Sequence, residues 1–464
     1  MVMNAIKTKT SSGASLEELI QAAGSPVKLL RSAPLGPYTF PIIPPEFTNW
    51  RDEQRAWKQG CALLELSYHM AELHLRGPHA LTLLEKLGVN RFDPFPVKRA
   101  KQLVLCGHDG YMIGDAILFR EEEEFFRIVG APCASDWVQF HAETGDLDID
   151  VERDDPLSIR SGDRDVYRIQ VQGPLALQLM RDVTDGKLPE IGFFHVGEFK
   201  IKGRTVRALR HGMAGEPGFE IYGPWKEQQV IRAAFDQAGE KYGMRKIGAL
   251  AYATTAQESG WMPVPLPAIY HGEQMKPYRQ WLSSHHLESV GSLGGSFYSD
   301  NIVDYYVDPV EVGYGSLIDF NRDFIGRDAL AQKAKNPKRK KVTLLWNQDD
   351  VAEIQRSALF PTTTPAKYLS TPYSMYATFE SDAVLKDDTP TGISQWSCYS
   401  SNAQSFISLA VVDIAHSAPG TEVTLLWGEP NSKRRTVEKH EVRAIRAEVA
   451  PAPLFEKIIK SGRQ

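Results

Sequence analysis

Four cysteines stand in 464 residues, Cys61, Cys106, Cys133 and Cys398. They lie tens of residues apart, so there is no CxxC pair for zinc, an iron–sulfur cluster or dithiol redox chemistry. Excess positive charge is absent too: 53 Lys and Arg against 58 Asp and Glu leave a formal charge of −5. Without a basic field to hold a phosphate backbone, nucleic acid is not expected as a partner. No apolar run approaches the roughly 20 residues of a membrane span. Met1 to Ser15 is polar and carries Lys7 and Lys9 without the apolar centre of a leader. The expectation is a cytoplasmic protein with unpaired thiols and no membrane partner. At roughly 150 residues per domain, the length suits three domains.

Several familiar chemistries also lack their residues. There is no Walker lysine, no GxSxG elbow and no HExxH. His285 and His286 are adjacent, so their side chains diverge on helix or strand and clamp a metal poorly. Gly291 to Gly295 is glycine-rich but has no feeding strand and reads as a loop. The DxHxxG arrangement of cobalamin proteins fails as well, because Ala214 stands three residues after His211. No metal ligand set is expected.

What is present is a duplication. His74-Leu75-Arg76-Gly77-Pro78-His79-Ala80-Leu81 is echoed 96 residues later by Gln170-Val171-Gln172-Gly173-Pro174-Leu175-Ala176-Leu177. Each copy reads strand, Gly-Pro, helix, with proline in the first turn, where its missing N–H costs nothing. Short strands follow each: Gln102 to Cys106, Ile113 to Phe119 and Phe125 to Gly130 in one, Val196 to Ile201 and Thr205 to Leu209 in the other. A helix over Trp225 to Tyr242, with Val230, Ile231, Ala234 and Phe235 on one side, closes the second copy. This predicts two split βαβ-type α+β units. The basic run Lys335 to Lys341 reads as a solvated linker. Beyond it no helical period is evident, and Val342 to Trp346, Phe406 to Ile414, Glu422 to Trp427 and His440 to Val449 predict an antiparallel barrel or sandwich. Ser357 to Thr389 reads as a long insertion in it.

Two segments carry candidate chemistry. In Arg210-His-Gly-Met-Ala-Gly-Glu-Pro-Gly-Phe-Glu-Ile-Tyr222, closely spaced glycines beside a strand could aim Glu220 inward. A carboxylate so placed matches adjacent N–H donors, such as the amidine-like edge of a pterin, as it matches a guanidinium. The residue alone fits a solvated strand position equally well. Glu258-Ser-Gly-Trp261-Met-Pro-Val-Pro-Leu-Pro267 holds a tryptophan in a stiff loop, suited to stacking or to a core.

With Glu65-Leu-Ser-Tyr-His69-Met70 and Gly110-Tyr-Met-Ile-Gly-Asp115, these segments resemble the tetrahydrofolate-dependent aminomethyltransferase family of the glycine cleavage system. That family's pattern runs DVSHM, GGxxDD, LQGP, RTGYTGEDGFE, and its order is kept over roughly residues 45 to 450. The resemblance implies an α+β, three-domain cloverleaf: two ferredoxin-like α+β domains around a central folate channel and a C-terminal antiparallel β-barrel. The boundaries expected are 1–150, completed by part of 245–335, then 151–338 and 339–464.

Departures point to a branch. Gly114 replaces one acid of the GGxxDD pair, and Met213 replaces the tyrosine of GYTG. The segments PEFTNWRDEQRAW (45–57), RHGMAG, ESGW, PLPAIY, GGSF and DYYV are similar to the aryl-ether O-demethylase branch, whose members act on vanillate and syringate. The resemblance implies methyl transfer from a methoxylated lignin-derived acid to N5 of tetrahydrofolate, with no metal. It implies Tyr252 and His69 as catalytic residues, and Gln170, Glu220, Trp261 and Met213 on the cofactor side. Substrate would contact Phe40, Leu66 and Ala131 as well as His69 and Tyr252. These three positions give a roomier, more apolar wall than the vanillate enzymes have, which favours syringate over vanillate or 3-O-methylgallate. An aminomethyltransferase or dimethylglycine demethylase is the alternative, opposed by Gly114. A folate-binding protein of iron–sulfur maintenance would carry a KGCYxGQ loop, and none is present. A sugar- or peptide-binding module built on the barrel would rest on fold analogy alone.

Overall fold

The computed structural model describes residues 13–157, 160, 162–213 and 216–455. Most of the polar N-terminal stretch, with Ala214 and Gly215 of the glycine-rich turn, lies outside the described residues. Three short helices come first: α1 (Leu16–Ala23), α2 (Pro26–Ser32) and α3 (Trp50–Gln59). Ser15, Ser25 and Asn49 start them, each side chain accepting from the backbone N–H three residues on.

Strand β1 (Ala62–Glu65) precedes the first repeat. There β2 (Ala71–Arg76) leads through α4 (Ala80–Leu87) to β3 (Arg99–Cys106), β4 (Met112–Glu122) and β5 (Phe125–Gly130). Helix α5 (Pro132–Thr144) and β6 (Asp150–Asp154) follow. The second repeat runs β7 (Val166–Gln172), α6 (Ala176–Val183), β8 (Val196–Ile201), β9 (Arg204–Arg210) and β10 (Gly218–Pro224), then α7 (Gln228–Gly239) and β11 (Arg245–Lys246). In both repeats the fourth strand returns antiparallel to the first. The glycine of each Gly-Pro is required by geometry. Gly77 and Gly173 hold φ of +136° and +119°, and a Cβ there would meet the Asp148 and Gly60 carbonyl oxygens at 2.4 and 2.6 Å.

The sheets interlock. Their orders are β3-β4-β5-β2-β6 and β11-β1-β7-β10-β9-β8, so β1, which precedes the first repeat, belongs to the sheet of the second. The expected 150/151 boundary falls inside β6, which pairs with β2. Residues 266–306 send Leu266, Ile269, Tyr270, Tyr278 and Tyr305 into the core of the first sheet. The sheets meet where the Ala100 N–H donates to the Phe194 carbonyl at 2.9 Å, over Phe119, Leu209 and Tyr222.

Six antiparallel strands close the C-terminal barrel: Arg339–Trp346, Asp382–Lys386, Thr389–Ser400, Ser405–Asp413, Glu422–Trp427 and Arg443–Ala450. Three expectations need correction. Lys335–Lys341 is not a linker: Lys335 ends a helix from Arg327, and Arg339 already begins the strand that turns Val342, Leu344 and Trp346 inward. A helix does exist beyond it, Gln348–Leu359, whose single buried residue, Ile354, leaves no apolar stripe to read. On α7, Val230 is 38% exposed while Ile231, Ala234 and Phe235 are buried. No helix among the described residues is long and apolar enough to cross a membrane.

Candidate active site

A cavity of about 1640 Å³ opens where both sheets, the barrel insertion and the strap 33–49 meet. The strap has no helix or strand up to Asn49, because five prolines (34, 37, 41, 44 and 45) remove donors and fix φ. It is tied down from outside: Ala249 and Leu250 N–H donate to the Pro44 and Pro45 carbonyls at 2.9 and 3.1 Å. The buried Glu53 carboxylate accepts from the Phe47 and Thr48 N–H groups. From the barrel, Tyr373, Ala377 and Thr378 of the insertion join the wall. Thr378 Oγ1 donates to the Gly36 carbonyl at 3.2 Å. The buried Lys367 ammonium holds the insertion, 2.5 Å from Glu380 and 4.5 Å from the Tyr376 and Trp427 ring centres.

At one end of the cavity His69, on the turn after β1, meets Tyr252, at the end of a four-residue helix from Ala249. His69 Nε2 and the Tyr252 hydroxyl are 2.8 Å apart. Phe40 lies edge-on to both rings, with centroids 5.0 and 4.8 Å away, and Met213 Sδ is 3.8 Å from the Tyr252 oxygen. Burial, then the charge of Arg164, pushes His69 down to about 3, so its ring is neutral at ordinary pH. Burial, then the negative charge of Glu220, raises the Tyr252 hydroxyl well above the ordinary tyrosine value, so it keeps its proton. His69 Nδ1 is buried with no partner among the described residues.

Behind this wall Gln170 and Glu220 face each other across β7 and β10. Glu220 accepts from Arg168 through one oxygen and from His211 Nε2, at 2.6 Å, through the other. Burial would raise its pKa, but the Arg168 charge and the His211 hydrogen bond outweigh this and hold it below the usual carboxylate value. Arg168 is shared with Glu72 of β2, which ties the carboxylate to the first sheet. Gln170 Oε1 and Gln172 Nε2 are buried without partners among the described residues.

Trp261 approaches from the loop after Thr255–Ser259, and its indole Nε1 donates to Asp115 Oδ2 at 2.9 Å. Gln102 Nε2 and the Tyr314 hydroxyl donate to the same oxygen, each at 2.5 Å, while Oδ1 is buried without a partner among the described residues. Burial, against these three donors and the Lys341 charge, pushes Asp115 up to about 6. Lys341 of the barrel, opposed by Asp115, is itself pushed down by burial to about 8.

Of the residues singled out in the sequence, Phe40, His69, Ala131, Met213, Tyr252 and Trp261 line the cavity. Gln170 and Glu220 lie behind the lining. Leu66 is on neither layer: its N–H continues the ladder to the Arg168 carbonyl, and its side chain packs with Leu64, Ala251 and Tyr252. Gln172 and Asp115 are site residues that the sequence does not single out. They lie in the strand before Gly173-Pro174 and next to Gly114, but nothing local signals that strand amides are left unpaired or that an aspartate is buried under an indole. No group of three or more His, Cys, Asp or Glu side chains that could hold a metal lies among the described residues.

A duplicated α+β pair joined to a closed barrel around a central cavity is the architecture of the glycine cleavage T-proteins. The GCVT N-terminal domain matches residues 35–265. The chain is 40% identical to syringate O-demethylase of Sphingobium sp. (strain NBRC 103272 / SYK-6), over 97% of each chain. It is also 28% identical to sesamin methylene transferase of Sinomonas sp. (strain No.22), over 86% of this chain and 89% of that one. The chain therefore belongs to the GCVT family. In fold it is similar to the crystal structure of glycine cleavage system aminomethyltransferase T from Bartonella henselae, with a TM-score of 0.60 at 16% identity, covering 95% of this chain and 97% of that one.

Proposed function

We propose that the protein is a tetrahydrofolate-dependent O-demethylase of methoxylated aromatic acids, with syringate the first candidate and 3-O-methylgallate its product. The observation that carries this reading is the Tyr252 hydroxyl at the cavity wall, 2.8 Å from His69 Nε2 and beneath Phe40, with burial keeping the hydroxyl protonated and the imidazole neutral. Identity over nearly the whole chain to a syringate O-demethylase supports it.

The residues present fit a reduced pterin. Trp261 and Met213 offer a flat and a soft face at the wall, and the unpaired amide atoms of Gln170 and Gln172 need a donor and an acceptor that the pyrimidinone edge would supply. Glu220, held anionic behind the lining by Arg168 and His211, would meet that edge by exchanging one of these partners for it. Bound tetrahydrofolate supplies the nucleophilic N5 that receives the methyl group.

Tyr252 acts on the leaving side. With the His69 hydrogen on Nε2, that nitrogen donates to the Tyr252 oxygen, and the Tyr252 hydrogen turns from Met213 Sδ, a weak acceptor, to the departing aryl oxygen. His69 Nδ1 is then an acceptor for the hydroxyl next to the reacting methoxy group. Phe40 and Ala131 leave room for a second methoxy group, and the buried wall excludes water that would compete for the methyl carbon. Much of the acceleration is alignment of nitrogen, carbon and oxygen. The cytoplasm belongs to the same reading, since all four cysteines are buried free thiols that a reducing compartment preserves.

The test is incubation with tetrahydrofolate and, separately, syringate, vanillate, 3-O-methylgallate and dimethylglycine. Methyltetrahydrofolate should form fastest with syringate. A product from dimethylglycine alone would replace the reading with the amine alternative.

A further inference from the structure

The cavity runs well past the wall that carries Tyr252 and His69, out to α1 and residues 280–287. Its volume of about 1640 Å³ has to take tetrahydrofolate and the reacting ring together, each a ligand of the size that a site of roughly 300–1,000 Å³ holds. Past Ala131 the lining continues along α5 to a chamber bounded by α1 and by residues 280–287. One wall of this chamber is Trp281. Its indole Nε1 donates to Glu143 Oε2 at 3.0 Å, and its ring lies at 17° to that of Tyr278, with centroids 6.0 Å apart. The indole edge is thus fixed while the ring remains part of the cavity wall.

The electrostatics of the chamber describe what would occupy it. Among the described lining residues are five carboxylates, Glu18, Asp136, Glu143, Asp155 and Glu17, the last already paired to Arg279 at 2.6 Å, against one guanidinium, Arg153. That guanidinium is already committed, Nη1 donating to Asp136 and Gln139, and Nε to Asp155. Among the described residues no free cation lines the chamber, so a carboxylate here would meet like charge, which disfavours both the carboxylate of a second aromatic acid and a glutamate tail. An uncharged ring set against Trp281 meets neither cost.

We propose that this outer chamber is a subsite for the second ring of uncharged two-ring methoxyarenes, whose first ring reacts at Tyr252 and His69. The inference rests on the O-demethylase reading. The chemistry is the same: the aryl O–CH3 bond breaks, an N5–CH3 bond forms, and the N5 proton is balanced by the one gained by the aryl oxide, giving the phenol and 5-methyltetrahydrofolate.

The test compares methyl syringate with benzyl syringate, both uncharged esters of the same reacting ring, with syringate as reference. The expected result is a kcat/KM about tenfold higher for the benzyl ester, the effect of one buried, stacked ring. Gln139→Trp, which fills the chamber, should cost the benzyl ester at least about fivefold more than the methyl ester. Trp281→Ala, which empties the wall, should reduce the same ratio through KM. Equal kcat/KM for the two esters, or variants that slow both alike, would overturn the subsite. A rise in the KM for tetrahydrofolate with an unchanged ester ratio would assign the chamber to the cofactor's tail instead. Failure of all three substrates to yield 5-methyltetrahydrofolate would overturn the O-demethylase reading itself.

Discussion

Tyr252 and His69 are kept uncharged by burial, and this sets how each should respond to substitution and to pH. If Tyr252 donates to the leaving oxygen, Tyr252→Phe should lower kcat by about 10²–10⁴-fold and change the KM values little, as steady-state kinetics would show. An unchanged kcat would remove the hydroxyl from the chemistry. His69 accepts a proton near 6.5 when unfolded but only at about 3 when folded. The unfolded chain therefore binds more protons in that window, and stability is lost as pH falls from 6.5 toward 3. Urea midpoints at pH 7 and pH 5 should differ less for His69→Gln than for the parent chain. Asp115 titrates closer to neutrality, at about 6. Its protonation weakens the acceptor beneath the Trp261 indole, so tryptophan emission and the acid limb of kcat/KM should share a midpoint near pH 6. Both should vanish in Asp115→Asn; a limb that survives belongs to another group.

Among the elements, the strap and the barrel insertion finish the cavity, and they were the least legible parts of the sequence. The Gly-Pro repeats could be read because strand periodicity, a fixed proline φ and a glycine that no Cβ could replace all act locally. The strap could not, since its position comes from donors far along the chain, the Ala249 and Leu250 N–H groups. The insertion depends on Lys367, whose partner Glu380 lies 13 residues on and whose second ring, Trp427, is 60 residues away. Lysine is seldom buried, and nothing in its neighbourhood in sequence announces it. Lys367→Met would leave Glu380 buried without its cation, with the Tyr376 N–H still donating to its other oxygen, and should cost about 3–5 kcal/mol in urea unfolding. A loss under about 1 kcal/mol would show that the pair does not hold this wall.

For the molecule as a whole, the three-part architecture followed from the duplication and the change to β-type runs near residue 340, but the interlocking did not. Strand β1 is too short, at four residues, and too far from β7 for its pairing to be read from local pattern. Because β1 and β11 complete the second sheet from either side of the repeat, a fragment of residues 151–338 has β7 as an uncovered edge. It should lack cooperative thermal unfolding by circular dichroism, and a fragment that unfolds cooperatively would contradict the interlock. The same arrangement brings His69, from the turn after β1, against Tyr252 just after β11, so this pair forms only when β1 and β11 are paired at the edge of the second sheet. The most direct measurement follows the methyl carbon itself. With syringate labelled with 13C in its methoxy groups, and with tetrahydrofolate, NMR should show the label arriving on N5 as 5-methyltetrahydrofolate in step with 3-O-methylgallate. Label appearing instead in formaldehyde or methanol would contradict the account.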